Sequence, residues 1–134
     1  MEYGKLIEKA IEARKFSYSP YSHFCVGAAL LCSDGRVYTG CNIENRAYGP
    51  TNCAERTAIF KAVSEGEREF EAIAIVGGEE ELVWCYPCGV CRQVMAEFCD
   101  GGRFKIICGK SPDEYRVYTP VSYTHLTLPT NSRV

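Results

Sequence analysis

The chain reads as an α/β protein, a mixed sheet with helices covering both of its faces. Three features carry that expectation. Apolar residues recur at helical spacing in separated segments. Between those segments lie short apolar runs of the kind found in buried strands. An Asp34-Gly35 pair between two such runs is a tight-turn signal that joins them as a hairpin.

Taken in order, Leu6, Ile7, Ala10, Ile11 and Ala13 predict an opening amphipathic helix from about Tyr3 to Lys15. Phe16 to His23, broken by serines, tyrosines and Pro20, reads as a loop. Phe24–Cys32 and Val37–Ile43 are the hairpin strands, joined at Ser33–Arg36. Asn45–Asn52 is a polar loop. Ala54, Ala58, Ile59, Ala62 and Val63 make a helical stripe over Cys53–Glu65, ended by Gly66. Ala72–Val76 is a near-continuous apolar strand, and Glu79–Glu81 a solvated acidic loop. A third helix opens at Pro87 and runs to about Cys99. Phe104–Cys108 and Tyr115–Tyr118 are the closing strands. Alternating helices and strands of this kind build a sheet covered on both sides.

The 134 residues suit one domain, and 46% hydrophobic with 24% charged residues is a globular composition. A net charge of −2 and a pI near 5.7 offer no basic surface to a nucleic-acid polymer, whereas an uncharged nucleoside needs none. No apolar run is long enough for a membrane span, and Met1–Arg14 lacks the uncharged core of a signal peptide. Nine cysteines, an odd number, argue against a disulfide framework and for a reduced, cytoplasmic protein with some thiols on metal. Cys25, Cys32, Cys41, Cys99 and Cys108 lie in apolar stretches and read as small core residues.

Two motifs carry chemistry: Cys53-Ala54-Glu55 and Pro87-Cys88-Gly89-Val90-Cys91-Arg92-Gln93. Cys88 and Cys91, three apart at a helix start, share a face. Tetrahedral Zn–S bonds of about 2.3 Å place sulfurs about 3.8 Å apart, which that spacing can supply. Cys53 begins another helix, so two positive helix ends converge on one Zn²⁺ held by three thiolates with one position open. Arg56, three residues after Cys53, is placed to hydrogen-bond the sulfurs and withdraw some of their charge. Arg92 is a second candidate.

Glu55 is the expected proton carrier. Residues two apart do not face each other on a helix, so its carboxyl must reach the open position end-on from the first turn. A competing arrangement adds Cys85 to the three cysteines as a closed, purely structural four-sulfur site. Against it stands Glu55 beside a ligand cysteine, in a composite pattern more specific than either half. His23 and His125 have no metal-like spacing to anything.

These motifs resemble those of the zinc nucleoside deaminases. The match is closer to the small homotetrameric cytidine deaminases through Phe24–Leu30 (FCVGAAL), Gly40–Asn45 (GCNIEN) and Ala47–Asn52 (AYGPTN). The resemblance covers about Met1–Thr119 and implies a three-layer α/β/α sandwich with a five-stranded mixed sheet. It implies Asn42 and Glu44 on the ribose 3′-hydroxyl, Phe24 against the pyrimidine, Tyr48 at the pocket and its subunit contacts, and Ala54 also binding substrate. It further implies zinc-activated water replacing the 4-amino group of cytidine or deoxycytidine, with Glu55 relaying protons, in pyrimidine salvage. Asn42 and Glu44 favour a plain nucleoside over a modified one such as blasticidin S. The stretch 120–134 departs from the family, whose members carry there an aromatic residue that reaches a neighbouring subunit's site.

Overall fold

Alternation along the strands decides which side chains meet which helix. In the computed structural model, which describes residues 1–120, the elements are α1 (Tyr3–Arg14), β1 (Cys25–Cys32), β2 (Val37–Cys41), α2 (Ala54–Ser64), β3 (Phe70–Gly78), α3 (Gly89–Phe98), β4 (Lys105–Ser111) and β5 (Glu114–Tyr118). The sheet order is β2-β1-β3-β4-β5. β3 and β4 run parallel and the other pairs antiparallel, so the sheet is mixed.

Side chains at successive strand positions point to opposite faces. Ala29, Leu31, Ala72, Ala74, Val76 and Ile107 bury one face against Leu6, Ile7 and Ala10 of α1. Ala28, Leu30, Ile73, Ile75, Ile106 and Cys108 bury the other against Ala54, Ala58, Ile59 and Ala62 of α2 and Cys91 and Met95 of α3. The result is the expected three-layer α/β/α sandwich around five strands. β3 and β4, buried on both faces over their central residues, are the near-continuous apolar runs that the sequence shows.

Two glycines let the helices come this close. A Cβ on Gly27 would lie 2.0 Å from the Ala10 carbonyl oxygen and 2.7 Å from the Arg14 nitrogen. On the other face, a Cβ on Gly40 would lie 2.6 Å from the Ala58 nitrogen and 2.7 Å from the Ala54 oxygen. The obstacles are helix backbone and cannot swing aside. Gly27→Ala is therefore expected to cost about 3 kcal/mol or more by forcing α1 off the sheet, measured as a lower urea midpoint.

Several element boundaries differ from expectation; β4, for one, runs to Ser111 rather than Cys108. β2 stops at Cys41 rather than Ile43, because past that point the backbone changes partners: Ile43 pairs with Tyr18 and Asn52. β3 is longer than Ala72–Val76, since Phe70 pairs with Cys32 and Gly78 with Cys25. α3 begins at Gly89, not Pro87. Cys88 is its N-cap, with Sγ accepting the Cys91 N–H at 3.4 Å, so Pro87 lies outside the helix. The expected core role of five cysteines holds for Cys32 and Cys108; Cys25, Cys41 and Cys99 are only half-buried.

Candidate metal and catalytic site

The connections bring the two motifs together. α2 feeds β3 through the short turn after Ser64, and α2 spans about 16 Å at 1.5 Å per residue. Its N-terminus thus returns to the C-terminal end of β3, where the chain then enters α3. Arg14 ties this end together: Nε donates to the Cys25 carbonyl (3.0 Å) and Nη2 to the Gly78 carbonyl (2.7 Å).

Cys53 is the N-cap of α2 and Cys88 the N-cap of α3. Their Sγ atoms lie 3.7 Å apart, and Cys88 Sγ lies 3.4 Å from Cys91 Sγ. The three sulfurs all fall within 4.8 Å of one another. Tetrahedral coordination of one zinc ion asks for about 3.8 Å, so the donor set fits. Hydrogen bonds with the Cys53 and Cys91 thiols, joined by the Cys91 and Val90 backbone N–H groups, hold Cys88 well below the ordinary thiol range. That same sharing raises Cys53 and Cys91. The sulfurs lie where two helix N-termini meet, a setting that favours thiolates. Arg56 donates from Nη2 to Cys53 Sγ at 3.3 Å, as its spacing implies. Its Nε is buried without a hydrogen-bond partner among the described residues.

Cys85 does not join the sulfur group. It packs instead toward Gly77, where a Cβ would come within 3.0 Å of both Cys85 Sγ and Phe24 Cε2. Burial pushes its thiol up to about 12. The closed four-sulfur arrangement is thereby set aside. Another group of ligand-type side chains, Cys32, Asp34 and Glu67, already has a cation: Arg36 reaches Asp34 (3.7 Å) and Glu67 (3.5 Å).

Glu55, in the first turn of α2, is 4% exposed. Among the described residues it is the buried charged side chain. Burial pushes its carboxyl up to about 7, opposed by its own backbone N–H and reinforced by the Cys88 sulfur. Ala54 beside it is fully buried.

Asn42 and Glu44 sit on the irregular segment after β2. Asn42 Oδ1 accepts from Val26 N–H (2.9 Å) and from the Ser17 hydroxyl, while Nδ2 donates to the Phe24 carbonyl (2.8 Å). The backbone partners fix the amide's orientation. One Nδ2 hydrogen is left over. Glu44 Oε1 accepts from Tyr21 N–H (2.9 Å) and Ser22 N–H (3.1 Å), and Oε2 from the Ser22 hydroxyl. These bonds, the Ser22 hydroxyl first, hold the Glu44 carboxyl below its usual range and keep it an acceptor. One lone pair on Oε2 remains. A spare donor and a spare acceptor are what a single hydroxyl group requires. Tyr48, by contrast, is 92% exposed on its loop.

Ser17, Ser22 and Arg14 were not among the expected site residues. The serine-rich loop signalled side-chain hydrogen bonding, but not its partners.

The family model for the cytidine and deoxycytidylate deaminase zinc-binding region matches residues 1–108. A cytidine deaminase of Sporosarcina psychrophila is 60% identical over 101 residues, covering 75% of this chain and 73% of the relative. A probable cytidine deaminase of Dictyostelium discoideum is 45% identical over 128 residues, covering 96% and 82%. Among solved structures, cytidine deaminase from Burkholderia pseudomallei superposes with a TM-score of 0.82 at 46% identity, covering 90% of this chain and 94% of that one. With the three-sulfur zinc site, the buried Glu55 and this matched region in place, the chain belongs to the cytidine and deoxycytidylate deaminase family.

Proposed function

We propose that the protein hydrolyses the exocyclic C–N bond of cytidine and 2′-deoxycytidine, giving uridine or 2′-deoxyuridine and ammonia. The observation that carries it is a carboxyl group, Glu55, buried in the same helix turn that Cys53 begins. When bound to Cys53, Cys88 and Cys91, zinc supplies Lewis acidity and makes water a nucleophile near neutral pH. Glu55 then does the proton work: it takes a proton from the attacking water and delivers it to N3 as oxygen adds to C4. It next takes the proton of the new C4 hydroxyl and passes it to the amino group; the C4–N4 bond breaks, ammonia leaves and a uracil carbonyl remains. Arg56, on Cys53 Sγ, offsets the excess negative charge of three thiolates.

Asn42 and Glu44 take the ribose 3′-hydroxyl with their remaining donor and acceptor, and Phe24 packs on the base. Ala54, the first residue of α2, is assigned to substrate binding with them. Recognition that stops at the 3′-hydroxyl admits both sugars. The exposed rings of Phe16 (79%), Tyr48 (92%) and Phe60 (45%) favour a homotetramer that buries them, with Tyr48 at a subunit contact. Free cysteines suit a reducing, cytoplasmic setting and a role in pyrimidine salvage. No helix among the described residues is long and apolar enough to cross a membrane. The deaminase domain is assigned to residues 1–119; apart from Pro120, the tail 120–134 lies outside the described residues.

The direct test is loss of cytidine absorbance with stoichiometric ammonia from zinc-loaded protein. Turnover of cytidine and deoxycytidine but not of an RNA or DNA strand is expected. Zinc-loaded protein that releases no ammonia from either nucleoside overturns the proposal.

A further inference from the structure

We infer that Ser22 is a positioning residue that locks two substrate-binding side chains, Glu44 and Phe24, into one rigid unit. It rests on the nucleoside-binding roles proposed above for those two residues. The Ser22 hydroxyl has one hydrogen to give and lone pairs to receive. It donates to Glu44 Oε2 and accepts the Phe24 backbone N–H at 3.0 Å. The Ser22 backbone N–H donates to Glu44 Oε1, with Tyr21 N–H beside it. One residue therefore grips both carboxylate oxygens and the amide of the residue that carries the aromatic ring.

The surrounding backbone is bent to make this possible. His23, between Ser22 and Phe24, holds a left-handed φ of 61°, and its N–H closes a turn on the Ser19 carbonyl at 2.9 Å. A non-glycine residue in that region costs free energy that neighbouring bonds must offset, and the Ser22 links are such bonds. Among the described residues, the segment that carries Glu44 is held by isolated bridges at Ile43 and by the Glu44 N–H donating to the Tyr18 carbonyl at 2.8 Å. Without the Ser22 hydroxyl, the Glu44 carboxylate would keep its two backbone N–H bonds on Oε1, and Oε2 would lose the bond that fixes the tilt of the carboxylate plane. Oε2 is the oxygen with the spare lone pair. Ser22 thus aims the acceptor that the sugar hydroxyl meets, and ties that aim to the position of the ring under the base.

The experiment compares cytidine with 3′-deoxycytidine on zinc-loaded protein, for the parent chain, Ser22→Ala, Ser22→Thr and Glu44→Ala. Ser22→Ala is expected to raise KM for cytidine about tenfold, the worth of one hydrogen bond to a charged group, with kcat within about twofold. Its preference for cytidine over 3′-deoxycytidine should shrink by a similar factor, and Ser22→Thr should restore it. A merely structural serine would weaken both substrates alike and leave that preference untouched. Glu44→Ala separates the two levels of inference. If it abolishes the preference while Ser22→Ala leaves it intact, the Ser22 role alone falls. If Glu44→Ala also leaves it intact, the ribose role of Glu44 falls, and the Ser22 role with it.

Discussion

Glu55→Gln is expected to keep one zinc per chain and to lower kcat for cytidine by about a thousandfold or more. General acid–base catalysis is typically worth 10²–10⁴-fold, and in the proposed reaction one carboxyl moves every proton. Glutamine matches glutamate in shape but can neither take nor release a proton at neutral pH. At a position 4% exposed, with a carboxyl whose charged form burial disfavours, the neutral amide is also tolerated by the fold. The thermal midpoint should accordingly hold or rise while turnover disappears. Metal analysis, a melting curve and ammonia release on the same preparation separate these effects. Activity within tenfold of the parent would show that Glu55 is not the proton carrier.

Cys88→Ser and Cys85→Ala should behave in opposite ways. The serine variant keeps an N-cap oxygen for α3, so the helix survives. It removes the sulfur that lies between Cys53 and Cys91, 3.7 Å from one and 3.4 Å from the other. Zinc content should drop from about one per chain to near none, with cytidine turnover lost alongside, because two thiolates do not match a three-thiolate site. Cys85→Ala should retain its zinc. Its thiol packs toward Gly77, outside the sulfur group, so only a contact is lost. X-ray absorption on the parent protein should count three sulfur neighbours. A count of four, or zinc loss in Cys85→Ala, would restore the closed structural site.

Most of the site was legible because metal chemistry is local. Two cysteines three apart at a helix start must share a face, and a carboxyl in the first turn of a helix must lie near its end. Arg56 followed from the same spacing, and its bond to Cys53 Sγ is present. The start of α3 was misplaced for an equally local reason. Proline and cysteine compete for the first position, and proline's usual place is the first helical turn. Here the sulfur takes the cap instead, accepting the Cys91 N–H, which sequence periodicity does not register. The end of β2 was misplaced because Asn42 and Ile43 continue the alternation of the strand. Asn42 N–H still reaches the Val26 carbonyl of β1 (3.2 Å), but Ile43 takes its partners from the Tyr18 and Asn52 segments instead.

The sequence alone pointed to the three clustered cysteines, to Glu55 beside them, to the two-faced sheet and to the family, since each depends on residue types at short fixed spacings. Only the tertiary structure decided that Cys85 stands apart from the metal group, and that Ser17 and Ser22 hold Asn42 and Glu44. It also decided that Gly27 and Gly40 are where the helices touch the sheet. Those contacts join residues a dozen or more positions apart, and they are selected by packing and by the pairing of buried polar groups. Neither leaves a periodic mark on the chain.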